Sequence, residues 1–247
     1  MGTESKHKTA LLEKIKIVKG DNFVTIEDTK NLTNQELMEL VTYLRDQPSI
    51  KTAKNINILV NSKFNKEVES LLQKYGFKVH DESVTVYKVL KESDKNISGF
   101  SLKNLAELST EKFKSVWRES MKESLNAPSS LKIDEQMRSV EVELGPNYKK
   151  SCLVAYEKGN PIGVIMPHIE PGTLEEGRIF YFGLIPKERG KGKSQLLHQQ
   201  ALRILKNDFN ATYYIGSTSH NNIPMLKIFE NNGCTVLERN RVYKKKN

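Results

Sequence analysis

The sequence is poor in cysteine, with only Cys152 and Cys234 in 247 residues. Two thiols cannot build a disulfide framework or a four-ligand metal cluster, so both are read as small buried side chains of a reduced compartment. Five histidines are scattered without the paired spacing of a zinc helix, and no metal site is expected. Long apolar runs are missing as well. None approaches the ~20 residues that cross a bilayer, so no membrane span is expected. Met1–Lys8 is polar and basic, with no hydrophobic stretch after it. No secretory leader is expected from such a segment, and the location implied is cytoplasmic.

What the chain does have is enough apolar content for a core, 37% hydrophobic against 28% charged. Its length lies between one large domain and two ordinary ones. The balance of 39 basic and 30 acidic side chains leaves a net charge of +9. Such a charge suits an anionic partner: nucleic acid, a phosphate-rich ligand or an acidic surface. No aromatic-interleaved basic motif accompanies it, so nucleic acid is disfavoured, and Lys244-Lys245-Lys246 reads as a solvated tail.

Extended stretches are expected at Leu11–Val18 and Phe23–Ile26, then a helix opened by the capping-box pair Thr33 and Glu36. Further on come a strand at Asn57–Val60, a helix at Lys66–Tyr75, a strand at Val84–Leu90 and a polar linker at Lys91–Ser98. The second part opens with a helix from about Thr110 to Leu125, broken at Asn126–Ser130, and a second helix through Met137, Val140 and Leu144. Strands follow at Cys152–Tyr156, Ile162–Met166 and Ile179–Ile185. A helix carrying Leu197 and Ala201, a strand at Tyr213–Gly216, a helix at Pro224–Asn231 and a strand near Val242 complete the pattern.

One module occurs twice. Asn65 to Phe77 can be laid over Asn222 to Cys234, with Asn and Gly at matching ends and Tyr-Lys in the strand that follows each, Tyr87-Lys88 and Tyr243-Lys244. The physical reading is an amphipathic helix stopped by glycine and then a strand.

The most informative segment is Leu184-Ile185-Pro186-Lys187-Glu188-Arg189-Gly190-Lys191-Gly192-Lys193-Ser194, a strand running into a glycine turn that opens a helix. Unpaired amides and the helix dipole favour an anion there, with Arg189, Lys191 and Lys193 adding charge. A Walker A loop requires glycine at the position of Lys187 and fails. A dinucleotide fingerprint lacks its third glycine, since Gln195 stands there. An acyl-CoA loop, Arg/Gln-x-x-Gly-x-Gly/Ala, fits Arg189 and Gly192, with Ser194 as a small residue in the last place.

On these two motifs, Leu184–Ser194 and Asn222–Cys234, residues 100–247 resemble the GNAT superfamily of N-acetyltransferases. The resemblance implies an α/β (α+β) GNAT fold, a mixed central sheet flanked by helices. It also implies acetyl-CoA as cosubstrate and a small-molecule or peptide amine as acceptor. Cofactor contacts are implied at Gly183, Leu184, Ile185, Arg189, Gly190, Lys191, Gly192, Lys193, Ser194, Asn222 and Phe229, with the Leu184 N–H on the thioester carbonyl. Two departures stand out. Phe229 occupies the place of a common tyrosine acid, and no carboxylate lies within Ile179–Ile185. Tyr181, alternating with Phe180 and Phe182, is the one ionisable side chain of that strand. It is the catalytic candidate, although such a residue is more often a sheet aromatic. His168 and Glu170 are read as loop residues, and His198 as exposed or packing.

Through the repeat, residues 1–95 look like the C-terminal half of a second GNAT unit, an α/β half-domain without glycine in its turn and so not expected to be catalytic. Residues 96–247 form the expected acetyltransferase domain. An oligomerisation surface is the rival role for the half-domain, and a homodimer is the one macromolecular partner kept open. The alternative function is a non-catalytic acyl-CoA-binding sensor.

Overall fold

The computed structural model describes residues 9–20, 23–45, 47–91, 99–126 and 131–246. By packing, the chain falls into two units, Met1–Val84 with Glu238–Asn247, and Thr85–Leu237. Against a boundary expected at 95/96, the packing divides the chain at 84/85, and residues 238–247 go with the first unit.

The first unit is built on β1 (Lys16–Gly20), β2 (Phe23–Glu27), α1 (Asn34–Arg45), α2 (Pro48–Lys51), β3 (Asn55–Asn61), α3 (Lys66–Lys74) and the start of β4 (Lys78–Val89). Strands β1 and β2 form an antiparallel hairpin, and β2 runs parallel to β3. Alternation puts Ile56, Ile58 and Val60 of β3 into the core with Ile26, Leu37, Leu40, Val68 and Leu72. Leu11–Val18 is not one extended stretch, because residues 9–13 are helical and β1 starts only at Lys16. Leu11 is buried in the core, so its apolar character marks burial and not a strand.

The second unit comprises the end of β4, β5 (Ser101–Lys103), α4 (Thr110–Met121), α5 (Ile133–Leu144), α6 (Tyr148–Ser151), β6 (Leu153–Glu157), β7 (Asn160–Ile169), β8 (Glu176–Leu184), α7 (Lys193–Asn207), β9 (Tyr213–Ser219), α8 (Ile223–Asn231) and the first residues of β10 (Thr235–Lys246). Strands β5 to β8 are an antiparallel meander, and β9 joins β8 in parallel. One face of this mixed sheet packs Val154, Val164 and Met166 against Phe113 and Trp117 of α4 and Val140 of α5. The other packs Ala155, Ile162 and Ile165 against Leu197 and Ala201 of α7. Helix α4 stops at Met121, four residues before the expected end, with Lys122 already extended. Of the expected break at Asn126–Ser130 and linker at Lys91–Ser98, residues 127–130 and 92–98 lie outside the described residues.

The repeated module is the same object in both units. Asn65 and Asn222 cap their helices by accepting from backbone N–H groups two or three residues ahead. Gly76 and Gly233 end them at φ 84° and 72°. In each, the N–H of the next residue reaches back five positions, Phe77 to Leu72 at 3.0 Å and Cys234 to Phe229 at 2.9 Å. What differs is the strand that closes each sheet. Strand β3 is closed by β10, from Asn240↔Asn61 to Lys246↔Asn55, with Tyr243 fully buried in the first unit's core. In the second unit the end of β4 meets β9, where Leu90 donates to the Thr212 carbonyl and the Tyr87 and Tyr213 rings lie 5.7 Å apart.

Candidate active site

The second unit's sheet opens where its two central parallel strands separate. Among the described residues, strands β8 and β9 pair only at Glu176↔Tyr213 and Gly177↔Tyr214, although β8 runs on to Leu184 and β9 to Ser219. A bulge lies on the far edge of the same stretch. Ile165 faces Phe182 and Pro167 faces Ile179, so three steps along β8 match two along β7. The extra residue breaks the alternation expected from the sequence. Phe180 and Tyr181 both pack toward α4, while Ile179 and Phe182 pack toward α7. Beyond the bulge, the Ile185 N–H donates to the Ile162 carbonyl at 3.0 Å. Because successive peptide groups of a strand point to opposite edges, Leu184 presents its N–H to the opened side.

The strand leads into one 3₁₀ turn, Pro186–Glu188, and then the glycines. Gly190 and Gly192 have φ of 71° and 73°, a left-handed conformation that costs side-chain-bearing residues about 1–2 kcal/mol. A Cβ on either would meet no atom within 4 Å, so both border open space. Gly192 caps α7 without a side-chain acceptor for the helix's first amides. Among the described residues, no backbone carbonyl accepts from the N–H groups of Gly190, Lys191 or Gly192. The result is a row of free donors at the positive end of a 15-residue helix.

The charged side chains of the turn are spent elsewhere, contrary to the expectation that they face an anion. Lys193 Nζ lies 2.6 Å from Glu157 and 2.5 Å from Glu188, and Lys191 Nζ lies 3.3 Å from Glu188. Lys193 beside it holds the Glu188 carboxyl below its ordinary range. Arg189 donates to four backbone carbonyls: Leu184 at 3.0 Å, Glu123 at 3.1 Å, Ser120 at 2.9 Å and Lys122 at 2.7 Å. An anion at this turn therefore meets backbone N–H groups first.

Tyr181 stands over the strand's glycine. A Cβ at Gly183 would lie 2.6 Å from the Tyr181 hydroxyl oxygen, so the ring occupies the space that a side chain there would need. Its ring meets Trp117 edge-on at 5.7 Å, and burial pushes the phenol well above its ordinary value. Tyr181 is thus a protonated phenol at neutral pH.

Three candidates take structural places. Phe229 is buried and packs on His198 at 5.5 Å and Tyr214 at 6.4 Å. Asn222 is occupied as the α8 cap, and its amide donates to Thr218 and Asn126 at 3.1 Å each. His198 is fully buried, with burial lowering its pKa to about 3. Asn232 lies 2.9 Å from its Nδ1, which leaves the Nε2 proton facing the Tyr214 hydroxyl at 3.4 Å. His168 is not a loop residue. It sits buried in β7, its Nε2 without a hydrogen-bond partner among the described residues and 3.9 Å from Glu170, whose carboxylate lies 3.2 Å from Arg178. Ser194 occupies the second position of α7. Burial raises the Cys152 thiol to about 12 and the Cys234 thiol to about 11, so neither is a nucleophile at neutral pH.

The first unit has the corresponding strand, turn and helix but seals them. Strand β2 pairs with β3 from Phe23↔Asn55 to Ile26↔Ile58. Past that, Thr29 bridges the pair, donating to the Leu59 carbonyl and accepting from the Asn61 N–H. The Glu36 N–H is taken by Thr33, and the Glu36 carboxylate takes the Thr33 N–H.

A strand pair that parts beside a bulge, followed by a glycine turn with free amides, stands here within a mixed sheet of the GNAT fold. The chain belongs to the acetyltransferase (GNAT) family, whose model matches residues 103–233, just over half of it. It is similar in fold to a GCN5-related N-acetyltransferase from Sphaerobacter thermophilus, at TM-score 0.64 and 12% identity, over 94% of this chain and 76% of that one. A tandem GNAT protein from the clavulanic acid biosynthesis pathway aligns at TM-score 0.56 and 10% identity, over 94% and 78%. A GCN5-related N-acetyltransferase from Kribbella flavida aligns at 0.53 and 10%, over 99% and 96%. No curated protein matches the chain in sequence. Among the described residues, no group of three or more His, Cys, Asp or Glu could hold a metal ion, and no helix is long and apolar enough to cross a membrane.

Proposed function

We propose that the chain is an acetyl-CoA-dependent N-acetyltransferase that moves the acetyl group directly onto a primary amine of a small molecule or peptide. The observation that carries this reading is the continuity of one opened strand edge with one turn of uncapped amides. A thioester ligand with a pantetheine arm and a pyrophosphate needs both, in that order. The arm pairs along Gly183–Ile185, and the pyrophosphate takes the amides of Gly190–Ser194. The positive φ and open space at both glycines fit that close approach.

In the transfer, the amine nitrogen bonds to the carbonyl carbon and the carbon–sulfur bond breaks. The Leu184 N–H faces the carbonyl oxygen, where negative charge develops. One proton leaves the amine nitrogen as the amide forms and one arrives on the departing sulfur. Tyr181, protonated at neutral pH, passes its proton to the sulfur and takes the nitrogen's in its place, a role that Phe229 cannot fill. Holding donor and acceptor together contributes the rest. The first unit, with its strands sealed by Thr29 and its helix start capped, is the non-catalytic member of the pair.

The test combines calorimetry with acetyl-CoA and an assay of CoA thiol release over a panel of amines. We expect binding, and release matched mole for mole by an acetylated amine. Binding without release on any amine would make the protein an acyl-CoA sensor, the reading that the buried Phe229 favours. No binding would overturn the cofactor assignment itself.

A further inference from the structure

The segment that leaves α4 is tied down on both sides of the opened strands. On the β8 side, Arg189 gathers the carbonyls of Ser120, Lys122 and Glu123 with one guanidinium, and its Nε holds the Leu184 carbonyl. These are the orphaned acceptors at a helix C-terminus, where a cation is favoured and a planar fork can serve several at once. The gathering bends the chain hard, since Glu123 has a φ of 54°. On the β9 side, the Asn126 side-chain oxygen accepts from the Thr218 hydroxyl at 3.0 Å, the Ser219 N–H at 3.3 Å and the Asn222 amide at 3.1 Å. Thr218 and Ser219 are both buried, at the end of β9. Seven residues, Ser120–Asn126, thus bridge from the end of one diverging strand to the end of the other.

We propose that Arg189 and Asn126 are positioning residues that hold Ser120–Asn126 as a strap across the mouth of the β8–β9 opening. Arg189 fixes Leu184 from its carbonyl side and is not a phosphate ligand. The strap leaves one face of the acyl site covered and carries the exposed Leu125 side chain, so an acceptor reaches the carbonyl past this fixed rim. The catalytic part of the inference rests on the acetyltransferase reading. The strap itself does not.

Arg189→Lys separates the two roles, because lysine keeps the charge but lacks the fork. We expect amide exchange in peptides covering 118–126 to rise about tenfold or more in Arg189→Lys. Asn126→Ala, a change on an exposed residue, is expected to raise exchange over the same peptides from the other end. Affinity for CoA should change less than about threefold in Arg189→Lys, with unaltered salt dependence. With an amine identified by the panel, the loss should fall on kcat and leave the KM for acetyl-CoA unchanged. Wild-type protection of 118–126 in both variants would overturn the strap. A tenfold or greater loss of CoA affinity in Arg189→Ala that Arg189→Lys restores would overturn the positioning role in favour of a phosphate contact. Should the unsubstituted protein bind no CoA, the acetyltransferase reading fails, and the exchange data still decide the strap.

Discussion

Gly192→Glu is expected to abolish acetyl-CoA binding, weakening it by about a thousandfold or more, on the order of 4 kcal/mol. Three effects act in the same direction. Glutamate at a φ of 73° is strained, by about 1–2 kcal/mol for a residue with a Cβ in the left-handed region. Its side chain enters the open space beside the first amides of α7. Its carboxylate puts a negative charge where a pyrophosphate must lie, and it competes for the same N–H donors. Gly192→Ala carries the strain without the charge, so it is expected to lose far less. Calorimetry with acetyl-CoA on both variants, with thermal melts to show that each is folded, checks the expectation. Affinity of Gly192→Glu within about threefold of the unsubstituted protein would contradict it.

Removing residues 238–247 is expected to unfold the first unit. Those residues supply the strand beside β3, from Asn240 to Lys246, and bury Tyr243 completely among residues of that core. Truncating a buried large aromatic costs about 3–5 kcal/mol by itself, which is a large share of the stability of a small unit. Loss of the strand also leaves the β3 edge unpaired. Limited proteolysis with mass mapping should show new cleavage within 16–84, and denaturant unfolding should show the loss of one transition. Tyr243→Ala is the milder form, with its midpoint lowered and its chain complete. An unchanged unfolding midpoint on truncation would contradict the assignment of these residues to the first unit.

The repeat and the glycine turn were legible because their physics is local. A helix cap is chosen by a side chain two or three residues from the amides it satisfies, as at Asn65 and Asn222. A positive φ is chosen by the glycine itself, as at Gly190 and Gly192. What escaped depends on partners distant in sequence. Strands β4 and β10 carry the same Tyr-Lys pattern, so composition could not say that the second closes the sheet of the first unit. The bulge that turns Tyr181 to the α4 face appears only against the register of β7. Arg189 reads as one more positive charge beside Gly190. Its direction is set by the carbonyls of residues 120–123, more than sixty positions earlier. Asn126 gave no signal beyond a polar break after a helix, although three donors converge on it.

The central claim is that the opened edge of β8 and the turn after it hold an acyl-CoA, and that the sealed β2–β3 counterpart does not. Amide hydrogen exchange with and without acetyl-CoA tests it most directly, since it reads backbone donors and needs no acceptor. The account predicts strong protection confined to 181–194, greatest at Leu184 and Gly190–Ser194, with no change across 23–34. Protection at 23–34, or unchanged exchange at 181–194 with the ligand bound, would contradict it.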